Sequence, residues 1–88
     1  MRHFSALIAL ILASSTVAKA QSTLLESVKR NPEEARALCR QFKDLNTQGI
    51  SASSTQAISQ VSRQKNLSAI DAEILSTYVI GLNCPDVR

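Results

Sequence analysis

The residues with the widest chemical repertoire in this chain are its two cysteines, Cys39 and Cys84. Thiols of this kind can act as a nucleophile, a metal ligand, a redox couple or a structural bridge. They stand 45 positions apart with no Cys-x-x-Cys pair, which favours a bridge in an oxidising compartment and leaves redox relay as the alternative. Carboxylate neighbours occur at Glu33 and Glu34 and at Asp71 and Glu73, and two carboxylates can in principle divide acid and base roles. Both pairs fall in expected first turns of helices, where negative charge is stabilising without any catalytic purpose. The sole histidine, His3, lies in an N-terminal segment expected to be removed. Its loss removes Ser-His-Asp and Cys-His catalysis, the usual zinc ligand sets and a histidine pH switch. Gly49 and Gly81 are isolated, so no glycine-rich phosphate loop is present. No catalytic, cofactor-binding or metal-ligating residue is expected, and the chain reads as non-enzymatic.

One further group could recognise a partner. Arg36, Arg40 and Lys43 recur along one helix side, with Lys29 and Arg30 as a possible continuation. They could meet an acidic protein or anionic head groups, although a solvated face tempered by Glu33 and Asp44 is the simpler account. Nucleic acid is not an expected partner: beyond the first twenty residues only Phe42 and Tyr78 are aromatic, and both are assigned to the core rather than to base stacking. Asn66-Leu67-Ser68 matches a glycosylation acceptor, which matters only in a eukaryotic secretory route.

Residues 1–20 have the order of a secretory signal: Arg2 and His3, an apolar run from Phe4 to Leu12, then small and polar residues ending in Ala18-Lys19-Ala20. The run to Ala18 is short for a bilayer span, which needs roughly 20 mainly apolar residues. Cleavage is expected after Ala20, giving Gln21 as the mature start, a periplasmic or secreted location and no membrane span in the mature chain. Processing also removes Arg2 and Lys19 while leaving all seven acids. Eight cations then remain, for a net charge near +1, with no global pull toward nucleic acid. The mature region, 21–88, is one domain near the size at which a core alone becomes marginal. Closing the 45-residue separation with a disulfide would add roughly 4 kcal/mol in the loop-entropy account.

Four helices must position these groups. Thr23 to Glu26 has capping-box spacing and predicts a first helix to about Arg30, offering Leu24, Leu25 and Val28. Asn31-Pro32-Glu33-Glu34 predicts the start of a second, running to about Gln48 and stopping at Gly49. Within it Ala35, Leu38, Phe42 and Leu45 make one apolar stripe, flanked by Cys39, with the basic residues opposite. Ser53 to Gln56 suggests the cap of a third helix with Ala57, Ile58 and Val61 as a narrow apolar edge. Ser68 to Asp71 caps a fourth, whose wide apolar arc of Ile70, Ile74, Leu75, Tyr78, Val79 and Leu82 makes it the expected central element. Gly81 is expected to permit a close helix contact there, and Cys84-Pro85 ends the helix. No segment alternates with period two.

The pattern of Pro32 to Cys39, Leu45, Gly49, Asn66-Leu67-Ser68, Asp71-Ala72 and Cys84-Pro85 resembles the domain of unknown function 732, over about residues 24 to 86. Those are small exported actinobacterial proteins with similarly spaced cysteines, and the resemblance implies a disulfide-linked helical fold without an established activity. The segment Cys39-Arg40-Gln41-Phe42-Lys43-Asp44-Leu45-Asn46 is also similar to that around the first cysteine of the periplasmic acid-stress chaperones. The expectation is therefore an all-α, small four-helix single domain closed by one disulfide, Cys39 to Cys84. Its expected role is that of a non-catalytic binding or interaction module at the cell envelope or outside the cell, with an unidentified protein or envelope partner. An acid-activated holdase is the alternative.

Overall fold

The computed structural model describes residues 21–88, all in one all-α unit. The expected signal segment and its expected cleavage site after Ala20 lie outside the described residues. Helix α1 covers residues 21–30, and α2 (Pro32–Thr47), α3 (Thr55–Lys65) and α4 (Ala69–Asn83) follow. α4 packs against both α2 and α3, which makes it the central element anticipated from its composition.

The second helix follows its sequence pattern closely. Ala35, Leu38, Cys39, Phe42 and Leu45 are its buried residues, and Arg36, Arg40 and Lys43 are exposed. Its end is set by backbone geometry: Gly49 adopts φ +78°, a conformation that costs glycine nothing. Gly49 N then donates to Asn46 O at 3.0 Å and Ile50 N to Leu45 O at 2.9 Å, the paired bonds of a Schellman stop. Ile50, thrown inward by this turn, packs on the core.

Three of the expected caps are placed differently. Helix α1 is already under way at residue 21, so Thr23 sits within it and is not a cap. Asn31 precedes α2 but makes no side-chain bond to it; its amide Nδ2 instead donates to Ser27 O at 2.9 Å, finishing α1. The cap of α3 is Ser54, one residue later than expected, with its hydroxyl accepting from Ala57 N at 3.2 Å. Ser53 is held in the loop by Ser51, their hydroxyls 2.9 Å apart. Ser68 caps α4 as read, accepting from Asp71 N at 3.1 Å.

The core forms where these helices meet: Phe42 is 0% exposed, with Val61, Val79 and Cys84 also among the fully buried side chains. Ala57 and Ala72 are buried with them, and their small side chains permit α3 and α4 to approach. Gly81 does not serve that purpose. It is exposed, and a Cβ built on it would meet nothing within 4 Å. The wide arc of α4 is likewise only partly used: Leu75 and Val79 are buried, whereas Ile70 is 71% and Leu82 55% exposed. A 15-residue helix that is apolar on nearly every side, packed against two neighbours, has more apolar surface than its neighbours can cover.

Candidate functional site

The cysteines are joined: Cys39 and Cys84 form a disulfide with a Cα–Cα distance of 6.0 Å. Both are largely buried, Cys84 more completely than Cys39, which limits exchange with another thiol and favours the structural reading over redox relay. Among the described residues no group of three His, Cys, Asp or Glu gathers to hold a metal ion. The first carboxylate pair is engaged at the surface: Arg36 Nη1 donates to Glu33 Oε1 at 3.2 Å, and Glu34 faces Lys65. Of the second pair, Asp71 lies in the first turn of α4 as expected and Glu73 falls just beyond it.

The disulfide begins a seam between α2 and the C-terminal segment. Cys84 meets Cys39, Asp86 meets Lys43 at 3.8 Å, and Arg88 meets Asn46. The segment thus runs parallel to α2. A turn in which Val87 N donates to Cys84 O at 3.1 Å shapes this segment between the disulfide and Arg88. Asn46 locks the far end. Its Oδ1 accepts from Arg88 N at 2.7 Å, while its Nδ2 donates to Arg88 O at 2.8 Å and Ile50 O at 3.0 Å. Ala52 N also donates to Arg88 O, at 2.8 Å, bringing the α2–α3 loop into the same knot. Nothing about Asn46 in isolation signals this; its partners are backbone atoms, which every residue carries.

Arg36, Arg40 and Lys43 line a shallow, open depression beside Cys39 and Asn83, so the structure does bring the basic stripe together. Two of its members have acidic partners, Glu33 and Asp86. Arg40 has none within ion-pair distance among the described residues, which leaves one unneutralised charge rather than a concentrated patch.

A more enclosed feature lies toward the other end of α2. A cleft of about 170 Å³ opens between Leu24 and Val28 of α1, Ala35 and Leu38 of α2, Leu67 of the α3–α4 turn, and Leu75 and Val79 of α4. Its walls are apolar because each helix turns its core-facing stripe toward the same gap. Its mouth is polar, with Ser27, Asn31, Glu34 and Lys65 around it. Lys65 Nζ stands 3.4 Å from Glu34 Oε1, linking the end of α3 to the first turn of α2. Lys65 reaches the mouth because α3 ends there: Asn66 takes a left-handed conformation, φ 54°, tolerated by asparagine. Leu67 N then bonds Ser62 O at 2.9 Å, folding Leu67 back onto the core. Sequence periodicity marked several wall residues only as core. A gap appears where three helical stripes and Leu67 converge without enough side-chain volume to fill it, and periodicity carries no information about that sum.

No helix among the described residues is long and apolar enough to cross a membrane. The family model of a domain of unknown function, DUF8664, matches residues 25–84, and the chain belongs to that family. The matched stretch nearly coincides with residues 24 to 86, over which the resemblance to the domain of unknown function 732 was drawn, but the family is a different domain of unknown function. No curated protein and no solved structure matches the chain.

Proposed function

We propose that this member of the DUF8664 family is a non-catalytic binding module that acts outside the cytoplasm, using the cleft beside α1 to hold a small apolar group. The observation that supports it is the cleft itself. Its 170 Å³ compares with engineered apolar cavities of about 150 Å³ that stay dry and bind benzene. Water gains little there, because the walls offer few polar partners, so an apolar guest that displaces it is favoured.

Export enters the proposal from two directions. The first twenty residues have signal-peptide order, and a buried disulfide suits an oxidising compartment. Intact mass of the protein recovered from the cell exterior or envelope is expected to begin at Gln21. Full-length chain retained in a membrane fraction would overturn that part of the reading.

Binding is tested with hexanol, a neutral probe, while methyl resonances are followed by NMR. Shifts are expected for Leu24, Leu67 and Leu75 and not for Ile70 or Leu82. Uniform small shifts, or none, would remove the cleft as a site. The holdase alternative draws its support from the exposed Ile70 and Leu82, which offer apolar surface to a client. It requires suppression of client aggregation at about pH 2 to 3, and stable monodisperse helical protein without such suppression would count against it.

A further inference from the structure

We infer that the outer face of α4 pairs two copies of this chain, helix against helix and antiparallel, about a two-fold axis at the level of Leu75 and Ser76. Ile70, Ile74, Thr77 and Gly81 recur at intervals of 4, 3 and 4 along this helix, the spacing that keeps side chains on one seam. On the opposite side lie Ala72, Leu75, Ser76 and Val79, the residues that α4 buries. The seam therefore points away from α2 and α3: Ile70 is 71% exposed, Thr77 and Gly81 are exposed and Ile74 is half-buried. Ile70, Ile74 and Thr77 line one open depression on this face. None of the four seam residues is charged, as is usual at the centre of an interface.

The order of sizes along the seam fits it to itself. Its N-terminal half is bulky, with Ile70 and Ile74, and its C-terminal half is slight, with Thr77 and Gly81. Gly81 packs against nothing in its own chain, since a Cβ there would meet no atom within 4 Å. A second copy turned end for end sets its Ile70 over Gly81 and its Ile74 over Thr77, and the symmetry repeats both contacts, so each layer joins a large side chain to a small one. In a parallel pair the isoleucine layers would hold the helices apart where glycine faces glycine. Charge selects the same orientation. Asp71 and Glu73 stand at the bulky end of α4 without an ion partner among the described residues, while at the slight end Asn83 shares a depression with Arg36, Arg40 and Lys43. Antiparallel pairing sets Asn83 of one copy opposite Ser68 of the other, one turn from Asp71, so an acidic end meets a basic one. Area sets the strength. A 15-residue helix is about 22 Å long and about 10 Å wide, a footprint of roughly 220 Å² per copy against about 800 Å² in a standard interface. The pair is therefore weak and reversible. It leaves open the cleft lined by Leu75 and Val79, and it does not depend on what that cleft holds.

The test is sedimentation equilibrium of the disulfide-intact protein from about 20 μM to about 1 mM. The mean mass is expected to rise reversibly from monomer toward dimer, with a dissociation constant on the order of 100 μM. Ile70→Glu is expected to weaken association at least about tenfold and, because the side chain is exposed, to leave the thermal melt nearly unchanged. Gly81→Leu separates a fitted seam from general stickiness. The added side chain finds open space in the monomer but collides with Ile70 of the second copy, so association is expected to fall about tenfold; stickiness alone would raise it. Exchanging bump and notch in the Ile70→Ala, Gly81→Leu double variant is expected to restore association to within about threefold of wild type. Wild-type protein that stays monomeric at the highest concentration would leave the seam to a different partner and overturn the inference. Tighter association of Gly81→Leu would overturn it as well, and so would a double variant that regains nothing. A dimer indifferent to Ile70→Glu would place the contact elsewhere and refute it too.

Discussion

The two halves of α2 face very different surroundings. From Cys39 onward the helix is sealed by a covalent bond, an ion pair and the hydrogen-bonded clamp of Asn46, and its inner face ends on the fully buried Phe42. From Pro32 to Leu38 it is held by apolar contacts around a gap and by one partly exposed ion pair at the gap's mouth. A domain of this size has little stability to distribute. Concentrating it at one end leaves the other free to be imperfectly packed, and an imperfectly packed apolar wall is what a small guest requires.

The contrast can be broken most severely at the sealed end. Phe42→Ala is expected to cost about 3 to 5 kcal/mol through cavity formation, enough to unfold much of the population in a thermal or denaturant melt. A small effect would mean that the sealed half is not the stable one. Next comes the disulfide. Reduction, or the Cys39→Ser, Cys84→Ser double variant, is expected to remove up to roughly 4 kcal/mol. Each kcal/mol lowers Tm by about 4 to 8 °C for a domain this small. An unchanged melt after full reduction, or two titratable thiols in unreduced protein, would dissolve the comparison altogether.

Smaller effects sharpen it. Asn46→Ala removes three bonds to backbone groups and is expected to cost about 1 to 2 kcal/mol, with faster amide exchange at Arg88 and Ala52 and none of the same acceleration around Leu67. Equal acceleration at both ends would show that the clamp is not local. Arg40→Ala, at an exposed position with no ion partner among the described residues, is expected to change stability by less than about 0.5 kcal/mol. A larger loss in the same melt would mean that the basic stripe is structural after all.

How much of this was legible in the sequence depended on how one-sided each helix is. In α2 the apolar residues form one stripe and the charges another, so face, boundaries and the position of Cys39 could all be read from a 3.6-residue period. In α4 apolar residues occur on nearly all sides, and the same reasoning placed Ile70 and Leu82 in the core and gave Gly81 a packing role, none of which it has. Which side of such a helix is covered depends on how many neighbours the chain supplies, a property of the assembled fold. The cap of α3 was missed by one residue because Ser51, Ser53 and Ser54 are chemically equivalent in sequence; only the loop geometry decides which hydroxyl faces the free amide of Ala57. The candidate site suffered most. Leu75 was visible as an apolar position of α4, but Leu67 was read only within Asn66-Leu67-Ser68, the role of Lys65 depends on the turn at Asn66, and that of Asn46 on backbone atoms 42 positions away.

The parallel seam between α2 and residues 84–88 also sets an order of events. Synthesis proceeds from the N-terminus, so Cys39 is made long before its partner and waits as a lone thiol through the next 45 residues. Between these two cysteines no wrong internal pairing exists to delay it, and a competing bridge must come from a thiol of another molecule. Residues 84–88 then do for α2 what a zip's slider does along its track: the apolar contacts can assemble beforehand, but the C-terminal half of α2 closes only when these residues arrive. Crowded, newly made chains awaiting that arrival would be trapped as disulfide-linked dimers, while dilute ones close on themselves.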